Sequence, residues 1–201
     1  MIEDVWKDMA ADPATVGYSF KRIGLPSPNA GSMSKCRELC AQNLCGAYGV
    51  TWGCPPGAGA EAECLELIRS FSRAAILIKE YDGIDLKDRE LLKRLGSGHQ
   101  ELCRRFGNAL RKEGYQASAF SDGGCGYCGE CTYPDDPCRY PDQRVSSIAS
   151  YGILMDEYMG SQGIDFKFRD DGMTLYGLIM YDEPGSGNNI SEADNQTDDR
   201  Q

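Results

Sequence analysis

The apolar positions along this chain change period several times, and each change predicts an element. Ile2, Val5, Trp6 and Met9 fall at helical spacing and predict a short amphipathic segment. Residues 17–25 read as a strand, ended by Pro26 and Pro28, because proline cannot donate to a ladder. Residues 60–71 predict a helix with Cys64, Leu67, Ile68 and Phe71 on one face, and residues 74–78 a short, buried strand. Asp85, with Asp88 three residues later, predicts the cap of a helix bearing Leu91, Leu92 and Leu95. That helix is interrupted at Gly96-Ser97-Gly98 and resumes with Leu102, Cys103, Phe106 and Leu110. Residues 115–120 predict a strand, and residues 144–159 a helix weakened by Gly152. Ile164, Phe166 and Phe168 alternate, Asp171-Gly172 supplies a turn, and residues 173–181 are nearly all apolar. This predicts a β-hairpin whose second strand is buried on both faces. The sum is an α/β (or α+β) fold over residues 1–183, with a mixed four- to five-stranded sheet, helices and two cysteine-rich loops. Residues 184–201 predict a disordered acidic tail with little to bury.

Charge and composition narrow the function. Hydrophobic residues make up 41% of the 201, enough for a core that disulfides need not hold. The formal net charge of −10 argues against nucleic acid, whose affinity comes from Lys and Arg neutralising phosphates. The acidity serves solubility, or attracts a basic redox partner protein. No apolar run reaches the roughly 20 residues that span a bilayer. The acidic stretch Met1-Ile2-Glu3-Asp4 does not match a secretory signal, so the expected location is the cytoplasm. Oligomeric state is left open.

Ten cysteines in a reducing compartment point to metal or redox chemistry. The strongest pattern is Cys125-x2-Cys128-x2-Cys131 followed by Cys138, the spacing of ferredoxin loops that wrap a [4Fe–4S] cluster. Four glycines, at 123, 124, 126 and 129, let the backbone fold tightly there and turn N–H groups toward sulfur. Zinc is the alternative, but its sites usually pair two C-x2-C knuckles across a longer loop. A second, looser group is Cys36-x3-Cys40-x4-Cys45-x8-Cys54. Ordering that segment costs on the order of 1–2 kcal/mol per residue. Few apolar side chains lie there to offset it, whereas structural metal binding contributes about 10–16 kcal/mol. Some of these four are alternatively plain buried thiols. Eight cysteines would thus serve one or two clusters, leaving Cys64 and Cys103 on the apolar faces of predicted helices. His99, the sole histidine, excludes His-rich metal sites and reads as an exposed residue at a helix start. Gly124, Gly126 and Gly129 match a dinucleotide fingerprint by letter, but Pro134 and Pro137 stand where its helix would open.

Cys45-x2-Tyr48-Gly49, Cys54-Pro55-Pro56, the Cys125–Cys138 run, Pro137-Cys138-Arg139-Tyr140-Pro141 and Tyr151-Gly152-Ile153 together resemble domain-of-unknown-function family 2284. The resemblance runs from about Cys36 to Asp182 and implies metal binding, with no established reaction. One stretch departs from it: where the family commonly carries R-P-S-M-E-A, residues 144–150 read Arg-Val-Ser-Ser-Ile-Ala-Ser, which removes the carboxylate of that motif and any acid–base role for it near a metal.

Three functional readings follow. The first is an electron-transfer or redox-accessory protein with [4Fe–4S] clusters, shielded by Tyr48, Trp52, Tyr127, Tyr133 and Tyr140. The second is an enzyme whose cluster keeps one iron open as a Lewis acid. The third is a zinc-stabilised binding module. A flavin bound without a recognisable motif stays open.

Overall fold

The structure, a computed structural model, describes residues 1–166 and 168–185. The expected disordered tail falls almost wholly outside the described residues. In chain order the elements are α1 (Ile2–Met9), β1 (Tyr18–Ile23), α2 (Ala30–Ala41), α3 (Glu61–Arg69), β2 (Arg73–Asp82), α4 (Arg89–Lys112), β3 (Gln116–Ser121), β4 (Ser146–Ser147), α5 (Met155–Ser161) and β5 (Gly172–Asp182). Short 3-10 turns lie at Pro13–Thr15, Pro141–Gln143 and Ile148–Tyr151. The strands make one mixed sheet in the order β1-β2-β5-β3-β4, antiparallel except for the parallel pair β3–β4. This is an α+β fold.

Alternation along β2 builds a core on each side of the sheet, because successive strand residues face opposite ways. Ala74, Ile76 and Ile78 face Met33 of α2, Cys64 and Ile68 of α3, and Tyr158 and Met159 of α5. Ala75 and Leu77 face Ile2 of α1 and Cys103, Phe106 and Leu110 of α4. On that second side Trp6 stacks on Phe20 at 5.6 Å and meets Phe106 edge-on at 5.4 Å. Such ring pairs add about 0.5–1.5 kcal/mol each beyond burial. Helix α4 comes so close to the sheet that a Cβ on Gly177 would lie 2.3 Å from Cys103 Sγ.

Several expectations need correction. Helix α4 runs unbroken through Gly96-Ser97-Gly98, and Asp88, whose carboxylate accepts from Leu91 N–H, caps it in place of Asp85. His99 is not exposed: only 1% of its surface is accessible. Its ring lies parallel to Tyr18, with Nδ1 3.1 Å from the phenol oxygen and Nε2 3.7 Å from Cys103 Sγ. The helix expected at 144–159 is instead β4, a 3-10 turn and the short α5. Ser146 and Ser147 pair with β3, and Gly152, at φ +73°, breaks any helical continuation. Residues 164–166 form no strand, so the hairpin fails. The partners of β5 are β2 and β3, and it is buried on both faces as expected. Among the described residues no helix is long and apolar enough to cross a membrane.

Two outcomes test this packing. Gly177→Ala should cost about 1–3 kcal/mol through overpacking against Cys103, read by denaturant unfolding. Burial pulls the His99 pKa down from 6.5 to about 4. Folding therefore excludes a proton that the unfolded chain binds, and stability is lost as pH falls from 6.5 toward 4. Relative to His99→Gln, the wild type should lose up to about 3 kcal/mol across that window.

Candidate metal centre

Two of the looser cysteines sit where no regular element was expected. Asn29 caps α2, its side chain accepting from Gly31 and Ser32 N–H at 2.8 and 3.1 Å. One helical turn then separates Cys36 from Cys40, which puts both thiols on one face. Cys45 and Cys54 follow on the loop beyond. Cys36, Cys40, Cys45 and Cys54 all line a single cavity of about 460 Å³, though no three of them converge closely enough to hold one ion. Its remaining walls are largely apolar, with Leu39, Leu44, Ile153, Met155, Phe166 and Phe168 among them. Cys36 and Cys54 are buried, Cys40 is half-buried and Cys45 exposed.

That setting makes Cys36, Cys40 and Cys54 weaker acids. Burial pushes Cys36 up to about 11 and Cys54 up to about 12, and neighbouring thiols add to the rise. Cys40 is raised as well, again mainly by burial, then by Cys45. Lys35 and Arg37 only partly offset that rise at Cys36 and Cys40, and four thiols are a donor set suited to a cationic metal or cluster, which would take them as thiolates.

The second set lies on the long loop between β3 and β4. Cys125, Cys128, Cys131 and Cys138 are each half-buried there and do not line the first cavity. Among the described residues no three His, Cys, Asp or Glu side chains converge closely enough to hold one metal ion. The loop folds on itself: Thr132 Oγ1 donates to Pro137 O at 2.9 Å, Glu130 N–H to Cys128 O at 2.9 Å, and Arg139 to Glu130 O. Tyr127 meets Tyr140 edge-on at 5.3 Å. The two cysteine loops also touch. A Cβ on Gly53 would lie 2.9 Å from Cys125 Cβ, and one on Gly124 would lie 3.1 Å from Cys54 Sγ. Trp52 crosses the same seam, packing edge-on against Tyr133 at 5.0 Å and donating to Asp136 O at 3.1 Å.

What holds the second loop was not read from the sequence. A polar stripe on α4 at Gln100, Arg104, Asn108 and Arg111 grips it. Gln100 Nε2 donates to Gly124 O at 2.6 Å and Asp122 O at 3.2 Å, while its Oε1 accepts from Gly126 N–H at 3.2 Å. Arg104 is buried, donates to Gln143 O at 2.8 Å, pairs with Glu101 and lies 4.5 Å over the Tyr127 ring. Asn108 donates to Gln143 Oε1 at 2.8 Å and Arg111 to Asp142 O at 3.0 Å. The signal was present as polar residues at helical spacing beside the apolar face of α4. Cys64 and Cys103, the two cysteines left outside the sets, are buried in the core as expected.

The chain belongs to the family described as Predicted metal-binding protein (DUF2284), whose match spans residues 32–181. No curated protein and no solved structure matches it. The matched region holds every cysteine of both sets, so the protein is a cysteine-rich member of a predicted metal-binding family.

Two measurements address the site. Because burial raises the Cys36, Cys40 and Cys54 thiols, metal loading should release protons and strengthen as pH rises from 6 to 9, followed with a pH indicator during loading. Gln100→Leu should strand two carbonyls and an N–H, costing about 1–3 kcal/mol, and should speed metal release to a chelator relative to wild type.

Proposed function

We propose that this protein is an iron–sulfur protein of electron transfer, with Cys36, Cys40, Cys45 and Cys54 holding one [4Fe–4S] cluster and Cys125, Cys128, Cys131 and Cys138 a second. The observation that carries the reading is the single cavity of about 460 Å³ that all four of the first cysteines line, among largely apolar neighbours. A tetrahedral zinc ion would draw its sulfurs to within about 4 Å of each other. A cubane offers one iron to each thiolate and suits a wider ring of donors. The ferredoxin spacing of the second set supports the same chemistry.

When bound, such a cluster accepts and gives up one electron at a potential set by burial and by hydrogen bonds to its sulfurs. The chain's own contribution is to position and insulate. Apolar side chains line the first site, and Gln100 and Arg104 fix the frame of the second. The Gly53 and Gly124 contacts bring Cys54 and Cys125 onto one seam, a short route between the two sets. The net charge of −10 suits a basic redox partner protein, and the reducing cytoplasm suits exposed thiols such as Cys45.

A second reading draws on the same cavity. Its apolar side, opposite the thiols, offers room for a substrate at an iron left without a protein ligand, which would act as a Lewis acid. Exposed Cys45 is the thiol such a site would release most readily.

Metal and acid-labile sulfide should be measured on protein purified without oxygen. Iron and sulfide in equal amounts, with broad visible absorption bleached by dithionite, are expected. Cys54→Ser and Cys128→Ser should each lower iron from about eight to about four per chain. Zinc without sulfide would overturn the reading in favour of a zinc-stabilised module. An intact cluster in Cys45→Ser would favour the open-iron enzyme.

A further inference from the structure

Beside the thiol-lined cavity lies another, of about 340 Å³, which shares Met155, Phe166 and Phe168 with it. It is built where β3 ends and β5 begins. Four features distinguish it: the carboxylate of Asp122 and the rings of Phe166, Phe168 and Tyr176 all line it. The rings stand together, with Phe166 meeting Phe168 edge-on at 5.5 Å and Tyr176 at 5.3 Å.

Asp122 is unusual in this setting. Its Oδ2 accepts from Tyr176 N–H at 2.7 Å, and among the described residues no cation pairs with it. Arg169 also lines the cavity, but its guanidinium is committed to Asp82, to Asp171 at 3.7 Å and to Glu80 at 3.9 Å. Buried carboxylates are normally paired, because an isolated charge in an apolar surrounding is costly. Burial raises Asp122 to about 6, which leaves it ionised at neutral pH and, among the described residues, without a paired cation. Aromatic faces attract cations through their quadrupoles, and rings around an anionic group are the usual recognition device for ammonium ions.

We infer that this cavity binds a small organic ammonium ion, its charge against Asp122 and its apolar body among Phe166, Phe168 and Tyr176. The chemistry is that of an alkyl or arylalkyl amine carrying no carboxylate. A volume of about 340 Å³ is that of a small-molecule site, which favours a free amine over a lysine side chain on a partner protein. Because Phe166 and Phe168 also wall the thiol-lined cavity, the bound amine lies directly beside it. The inference stands on Asp122 and the rings, and holds whether the thiols carry iron, zinc or neither.

The test titrates phenethylammonium, and 2-phenylethanol as its uncharged counterpart, into the full chain carrying its native metal, by calorimetry and by ligand-observed NMR. Phenethylammonium should bind saturably and about tenfold or more tighter than the alcohol, as expected for a desolvated cation on a carboxylate and rings. Asp122→Asn, which keeps an acceptor for Tyr176 N–H, should erase that preference. Phe168→Ala should weaken amine binding several-fold without loss of fold, because Phe168 is 94% exposed. Equal affinity for amine and alcohol, or amine binding undiminished in Asp122→Asn, would overturn the inference. So would a trimethyl-lysine peptide that binds tighter than the free amine, which would make the cavity a protein-docking site.

Discussion

The two cysteine loops meet backbone against side chain at Gly53 and Gly124, and neither position has room for a Cβ without displacing a cysteine of the other loop. Gly53 is tied in a second way: its carbonyl accepts from Ser147 N–H at 2.8 Å and from the Ser150 hydroxyl at 3.2 Å. The seam between the loops is thereby stitched to β4 at the sheet edge. Since Cys54 and Cys125 each adjoin one of these glycines, the placement of both cysteine sets depends on the same contact.

The sheet and its two cores have a different job. Close packing of α1 and α4 on one side, and of α2, α3 and α5 on the other, supplies the burial that holds the chain folded. The long loop between β3 and β4 adds little apolar area and is held by polar contacts from α4. That helix serves both parts. Its apolar face anchors the sheet, and its Gln100–Arg111 stripe reaches the loop. Structureless loops of this length inside a folded chain are usually functional, which agrees with the clustering of cysteines there.

Much of this was legible in the sequence where periodicity was strong. The apolar run of β2, the two-faced burial of β5 and the amphipathic N-terminal helix follow directly from residue spacing. Cys64 and Cys103 could be assigned to the core because each recurs with Leu and Phe at helical intervals. Family membership followed from two cysteine motifs far apart in the chain. Helix α2 was missed because only Met33 and Cys36 of its twelve residues are buried, too few to set up a period. The 144–159 region misled because its apolar residues recur at helical intervals while Gly152 and the pairing of Ser146 and Ser147 decide otherwise. His99 was misplaced because flanking glycines suggested a break, whereas burial of the ring against Tyr18 and Cys103 keeps the helix whole. The tethering stripe escaped notice because polar helix residues ordinarily face water, and only tertiary structure reveals what they hold.

The weak acidity of the buried thiols bears on how such a protein survives before it is complete. A protonated sulfur is a poor nucleophile and reacts slowly with peroxide or a passing disulfide. Cys36 and Cys54 are sheltered in this way by their burial. The burial that weakens these two thiols as acids therefore also protects them from oxidation, while exposed Cys45 has no such shelter.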